Sequence, residues 1–133
     1  MSYDSNEEQE SERRYVAPSS TQEFVKNMVH HVPCLRPQYE EHVEYYGELL
    51  PHLFLYAVLE YVAANTSSLH ATNEVALLLD VVERGLVAGD PDVIGLIDVS
   101  FAEDMYGMPV ARAPLKQLCG PLLAALMRKH GVF

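Results

Sequence analysis

Positive charge is scarce in this chain. Nine Lys and Arg stand against 19 Asp and Glu over 133 residues, a formal charge of −10 at pH 7. A sequence-independent nucleic-acid binder needs a cationic footprint to displace counterions, so that class is disfavoured. Attachment to an anionic membrane surface is disfavoured for the same reason. Cysteine is also scarce. Cys34 and Cys119 are the whole supply and no CxxC occurs, which excludes a zinc-ribbon framework. Two free thiols in a reducing compartment are expected, with a single disulfide as the alternative. Tryptophan is absent. No apolar run approaches the roughly 20 residues that span a bilayer. The acidic N-terminus has no cationic region followed by an apolar core, so no signal peptide is expected and the protein is read as cytoplasmic. No segment alternates with period two, so strands are not expected.

What remains is helix. Hydrophobic residues make up 49% of the chain, enough for a core. Residues 1–19 hold Asp4, Glu7, Glu8, Glu10 and Glu12 among Ser and Asn, and read as a disordered acidic tail. Residues 20–133 read as one all-α domain of six or seven antiparallel helices. Ser20-Thr21-Gln22-Glu23 has capping-box spacing and opens a first helix with Phe24, Val25, Met28, Val29 and Val32 on one face. Pro33 stops it, Pro37 opens a second helix, and Gly47 closes that one. The second helix carries Tyr39, Val43 and Tyr46 as its apolar stripe. The third, Leu49 to about Asn65, has a wide apolar face (Leu50, Leu53, Phe54, Ala57, Val58, Tyr61, Val62) and is expected to be central.

Asn65 to Ser68 reads as a loop, and Thr72 or Asn73 as the cap of a fourth helix with Val75, Leu78, Leu79, Val82 and Leu86 inward. Asp90-Pro91 is a cap and first turn for a fifth helix running to about Tyr106. Its apolar residues Val93, Ile97, Phe101 and Met105 repeat every four positions. Gly120-Pro121 predicts a kink or division in the last segment, from about Arg112 to His130. The helix–turn–helix of residues 74–106 is how a HEAT-like unit looks, but no second copy at a fixed period is detectable.

Catalytic signatures are missing. There is no GxSxG, P-loop, GxGxxG or HExxH, and no Glu-x-x-His of a di-metal bundle. Of the six histidines, His30 and His31 are adjacent and point about 100° apart on a helix. His42 and His52 belong to different helices. A metal site across helices is one reading, and scattered structural histidines the favoured one. Cys34, Cys119 and Ser100 read as packing residues. No cofactor, metal or catalytic residue is expected, and the chain is read as non-enzymatic.

Two acidic clusters are the candidates for function. Glu40, Glu41, Glu44 and Glu48 lie on and after the second helix. Like charges three or four positions apart repel by about 0.2–0.5 kcal/mol, so helix propensity alone does not explain them. Asp98, Glu103 and Asp104 lie on the fifth helix beyond the first turn, where the dipole would favour acids. Tyr45 belongs to a set with Tyr39, Tyr46, Tyr56 and Tyr61 that cannot all be core. Tyrosine beside acid is a common interface pairing. These eight residues are the candidate partner-binding surface for Arg or Lys groups; a merely solvated face is the alternative. From Arg112 on there are four basic residues and no acid, an asymmetry that could instead drive head-to-tail self-association.

Five stretches carry a resemblance. They are Leu35-Arg36-Pro37-Gln38-Tyr39-Glu40-Glu41-His42, Leu49-Leu50-Pro51-His52-Leu53-Phe54, Gly89-Asp90-Pro91-Asp92-Val93-Ile94, Val99-Ser100-Phe101-Ala102-Glu103 and Gly120-Pro121-Leu122. Over Phe24 to about Met127 the chain resembles a family of small all-α uncharacterised bacterial proteins, some associated with toxin and immunity loci. The resemblance carries no catalytic residues. It implies an immunity protein that binds and neutralises a toxin domain with a basic surface, such as a nuclease. A regulatory or scaffold module, binding an endogenous protein or itself, is the alternative.

Overall fold

Proline and glycine set the punctuation of this chain. The computed structural model describes residues 17–64 and 69–133. Within them lie α1 (Ser19–His31), a 3-10 turn (Pro33–Leu35), α2 (Arg36–Tyr46), α3 (Pro51–Ala64) and α4 (Leu69–Ala88). They are followed by α5 (Pro91–Ile97), a π-helical turn (Asp98–Glu103), a 3-10 turn (Asp104–Gly107), α6 (Pro109–Leu118) and α7 (Pro121–Lys129). No strand occurs among the described residues. The expected tail falls mostly outside them, as does the Asn65–Ser68 loop. Ala17 is already buried and Ser19 is helical, so packing begins ahead of the expected boundary.

Several boundaries follow the expected chemistry. Gly47 takes a left-handed φ of 76°, and its N–H closes α2 on the Val43 carbonyl at 2.7 Å. Asp90 Oδ1 accepts from the N–H groups of Asp92 and Val93 at 2.9 and 3.1 Å, capping α5. These bonds, led by the one from Val93, hold its carboxyl below the usual range. Gly120-Pro121 divides the last segment into α6 and α7.

Others do not. The capping box at Ser20 does not form: α1 starts at Ser19, and no side chain caps it. The Ser20 hydroxyl instead donates to Asp90 at 3.1 Å, tying the start of α1 to the start of α5. Thr72 and Asn73 do not cap α4, whose backbone is helical from Leu69. α3 is central as expected, packed against α1, α2, α6 and the π turn, but it shares that place with α4. α4 is the helix packed against α1, α5, α6 and α7 together.

α3 buries Phe54, Leu55, Val58, Leu59 and Val62, while Leu53 and Tyr56 face outward. Its apolar excess therefore serves two faces, only one of them core. α2 buries just His42; Tyr39 and Val43 are half-buried and Tyr46 is exposed, so the expected stripe sits on the rim of the core.

The four-residue repeat in α5 has a structural counterpart. In a pure α-helix, steps of four advance by about 40° each and the stripe wanders off the core. A π turn takes more residues per turn and rewinds the stripe. Val93, Ile97, Phe101 and Met105 all stay buried across it.

α7 is capped from a distance. Glu83 on α4 accepts from the N–H groups of Leu122 and Leu123 at 2.8 and 3.0 Å, so its carboxylate sits on the positive end of the α7 dipole. A Cβ on Gly120 would lie 2.5 Å from Glu83 Cδ. The glycine thus leaves room for the cap supplied by another helix. Glu83→Ala is expected to cost about 0.5–2 kcal/mol, the usual range for a lost cap. Urea unfolding checks it, and Glu83→Gln should recover part of the loss through its remaining acceptor.

Candidate functional site

The face shared by α2 and α3 is the most distinctive surface. Gln38, Glu41, His42 and Tyr45 recur at helical spacing on α2, as do Leu53, Tyr56, Ala57 and Glu60 on α3. Together with Tyr46 they line a groove of about 350 Å³. Tyr45 is 80% exposed, Leu53 48%, and Tyr46 and Tyr56 44% each. The rings of Tyr45 and Tyr46 meet edge to face, 4.8 Å apart at 78°. No Lys or Arg lines the groove, and two carboxylates do.

His42 is the pivot of this face. Its ring packs 5.6 Å from the buried Phe54 ring and 4.8 Å from Tyr46. The Leu50 N–H donates to His42 Nε2 at 3.0 Å, which fixes the proton of the neutral ring on Nδ1. Burial pushes the His42 pKa below its usual 6.5. The neutral ring is therefore the form that holds the turn between α2 and α3. The stability it contributes is fully present above the unfolded-state value and is lost as pH falls through the lower folded-state one. The urea midpoint of the wild type is expected to drop more between pH 7.5 and pH 5.5 than that of His42→Gln, which has nothing to protonate there.

The candidate residues separate into groups. Glu41 and Tyr45 line the groove. Glu40 and Glu44 are exposed on α2, and Glu48 is exposed in the turn after it, all outside the lining. Asp98, Glu103 and Asp104 lie elsewhere, on the π and 3-10 turns. Asp98 is engaged within the chain: Lys129 Nζ donates to it at 2.9 Å and His130 Nε2 lies 2.6 Å away. The Lys129 ammonium, chiefly, holds the Asp98 carboxyl below its usual range. Glu103 and Asp104 line a second cleft of about 470 Å³ with Tyr106, Gly107 and His130. Burial raises the Asp104 pKa, and the neighbouring Glu103 charge adds to the rise.

One contact in this second region was not legible in the sequence. The His52 ring hydrogen-bonds the Ser100 hydroxyl across 48 residues of chain. Ser100 is buried in the π turn, so its hydroxyl is not presented to a substrate, whereas His52 is exposed.

A family model described as "Domain of unknown function (DUF7674)" matches residues 25–132, most of the chain. The chain belongs to the DUF7674 family. No curated protein and no solved structure matches it. The matched span takes in α2 and α3 entire, so the groove is part of the DUF7674 domain and not an appendage to it.

The remaining reactive groups are quiet. Cys34 and Cys119 are both free and half-buried. Burial, aided by Glu74, pushes the Cys34 thiol up to about 11, and burial also raises Cys119. Neither is a ready thiolate at neutral pH. Beside Cys34, Tyr61 donates to Glu74 at 3.1 Å, and burial raises its hydroxyl pKa as well. Among the described residues no His, Cys, Asp and Glu group converges as a metal site, and no helix is long and apolar enough to cross a membrane.

Proposed function

We propose that the protein is a binding module whose α2–α3 groove docks a partner protein through a basic segment. The groove itself carries this reading. It gathers exposed tyrosines and two carboxylates on a surface without a Lys or Arg. Tyrosine supplies contact area at little entropic cost, and a −10 chain steers a basic surface into encounter. The sequence of α2 points the same way. Arg36 sits at the positive end of the helix and the glutamates repel one another, so these residues are poorly explained by helix stability.

The narrower form of the proposal is an immunity protein that neutralises a secreted toxin domain with a basic active-site surface. It draws on the resemblance described above and on the charge of the groove. A self-associating scaffold has less support. Two of its four C-terminal cations are engaged within the chain, Lys129 by Asp98 and Arg112 by the Tyr106 carbonyl.

Co-expression with the product of the neighbouring gene tests the narrower form. The wild type is expected to retain a basic polypeptide through purification, and retention should weaken as salt rises. Glu41→Gln combined with Tyr45→Ala should release it. Equal retention by wild type and variant at all salt concentrations would contradict docking at the groove.

A further inference from the structure

The groove's chemistry narrows the partner group it takes. Its walls are the exposed rings of Tyr45, Tyr46 and Tyr56, and its carboxylates, Glu41 and Glu60, come from opposite helices. Gln38 also belongs to the lining, and its Oε1, shut off from solvent, has no partner among the described residues. A buried acceptor left unpaired is costly, so a turn of the Gln38 amide toward an incoming N–H donor is favoured. No Lys or Arg in the lining competes for these acceptors, and His42 Nε2 is already taken by the Leu50 N–H.

Resting on the docking role proposed above, we infer that the groove is a receptor for an arginine side chain of the partner, not for a lysine. A guanidinium is flat and weakly hydrated, so it stacks on a tyrosine face without giving up much solvation. Its five donors form a fork that can serve carboxylates on two sides at once. An ammonium offers three donors around a compact, strongly hydrated charge, and would have to shed that water to enter between the rings. Apolar occupants fail on the two carboxylates, and anions fail on charge.

The probe is a capped Gly-Arg-Gly tripeptide, titrated into the full chain and followed by amide chemical shifts. Lysine and citrulline versions serve as controls; citrulline keeps the shape and loses the charge. The arginine peptide is expected to give saturable shifts confined to residues 38–60. Lysine should bind about tenfold more weakly, the scale of one charge-assisted bond, and citrulline should give no saturable shift. Glu41→Gln with Glu60→Gln should weaken arginine binding about tenfold or more while leaving the rest of the spectrum in place. Tyr56→Leu should weaken it without changing the net charge. Equal responses to arginine and lysine, shifts scattered over the acidic surface, or no saturable response would each overturn the assignment. If the peptides fail while the groove variant still releases the co-expressed partner, docking at the groove stands and the arginine assignment falls.

Discussion

Phe54→Ala is expected to remove about 3–5 kcal/mol of folding stability, the usual cost of emptying a buried phenylalanine site. Phe54 is fully buried and is the ring on which α2 rests. Tyr39 meets it edge to face at 5.8 Å and His42 at 5.6 Å. Of the α2 side chains only His42 is fully buried, with Tyr39 and Val43 half-buried against the core, so Phe54 is a main part of its support. The cavity would open on the side where α2 joins α3, and the groove would lose its geometry with its support. Urea unfolding should show a lower midpoint, and α2 amides should lose protection first in hydrogen exchange. The adjacent residue supplies the contrast. Leu53 is 48% exposed, so Leu53→Ala should stay within about 0.5 kcal/mol of wild type. Similar costs for both substitutions would mean that α3 is rotated from the orientation described.

Gly85→Ala is the second large effect, and it runs against helix propensity. Alanine in a helix interior is normally worth about 1 kcal/mol over glycine. At Gly85, however, a Cβ would lie 2.6 Å from Phe24 Cε1 and 3.3 Å from Val93 Cγ1. Phe24 is a core ring of α1 and Val93 a core residue of α5, so neither is a loose surface end that can swing away. Overpacking of this kind costs about 1–3 kcal/mol and outweighs the propensity gain. The expected result is a net loss of stability, relieved in the double variant Gly85→Ala with Phe24→Leu. A stabilised Gly85→Ala single variant would show that α1 and α4 do not meet at this point.

Legibility in the sequence followed distance along the chain. Gly47, Asp90-Pro91 and Gly120-Pro121 act within one turn, through φ values and side-chain caps, and their roles were readable locally. The Glu83 cap on α7 spans about 40 residues and the Ser20–Asp90 bond spans 70, and neither leaves a local mark. Ser20 shows how this misleads. Its spacing to Glu23 is that of a capping box, but a carboxylate from a distant turn takes its hydroxyl.

The candidate site was partly legible for the same reason. The acids and tyrosines of α2 were visible as residues without a role in the core. Tyr56 stood out only as one of five tyrosines that cannot all be core, and Leu53 and Glu60 not at all, because the outward face of α3 is not marked until its buried face is known. Asp98 looked like part of the same kind of surface, yet Lys129 and His130, from the far end of the domain, already satisfy it. The strict four-residue repeat from Val93 to Met105 was the one local sign of the π turn.

The central claim is that the α2–α3 groove is where the partner sits. Amide hydrogen exchange of the full chain, alone and with the co-purified partner, measures this most directly. Added protection is predicted over residues 38–60, with α4 and α7 unchanged. Protection over the π turn and α7, with the groove exchanging as it does in the free chain, would contradict the account.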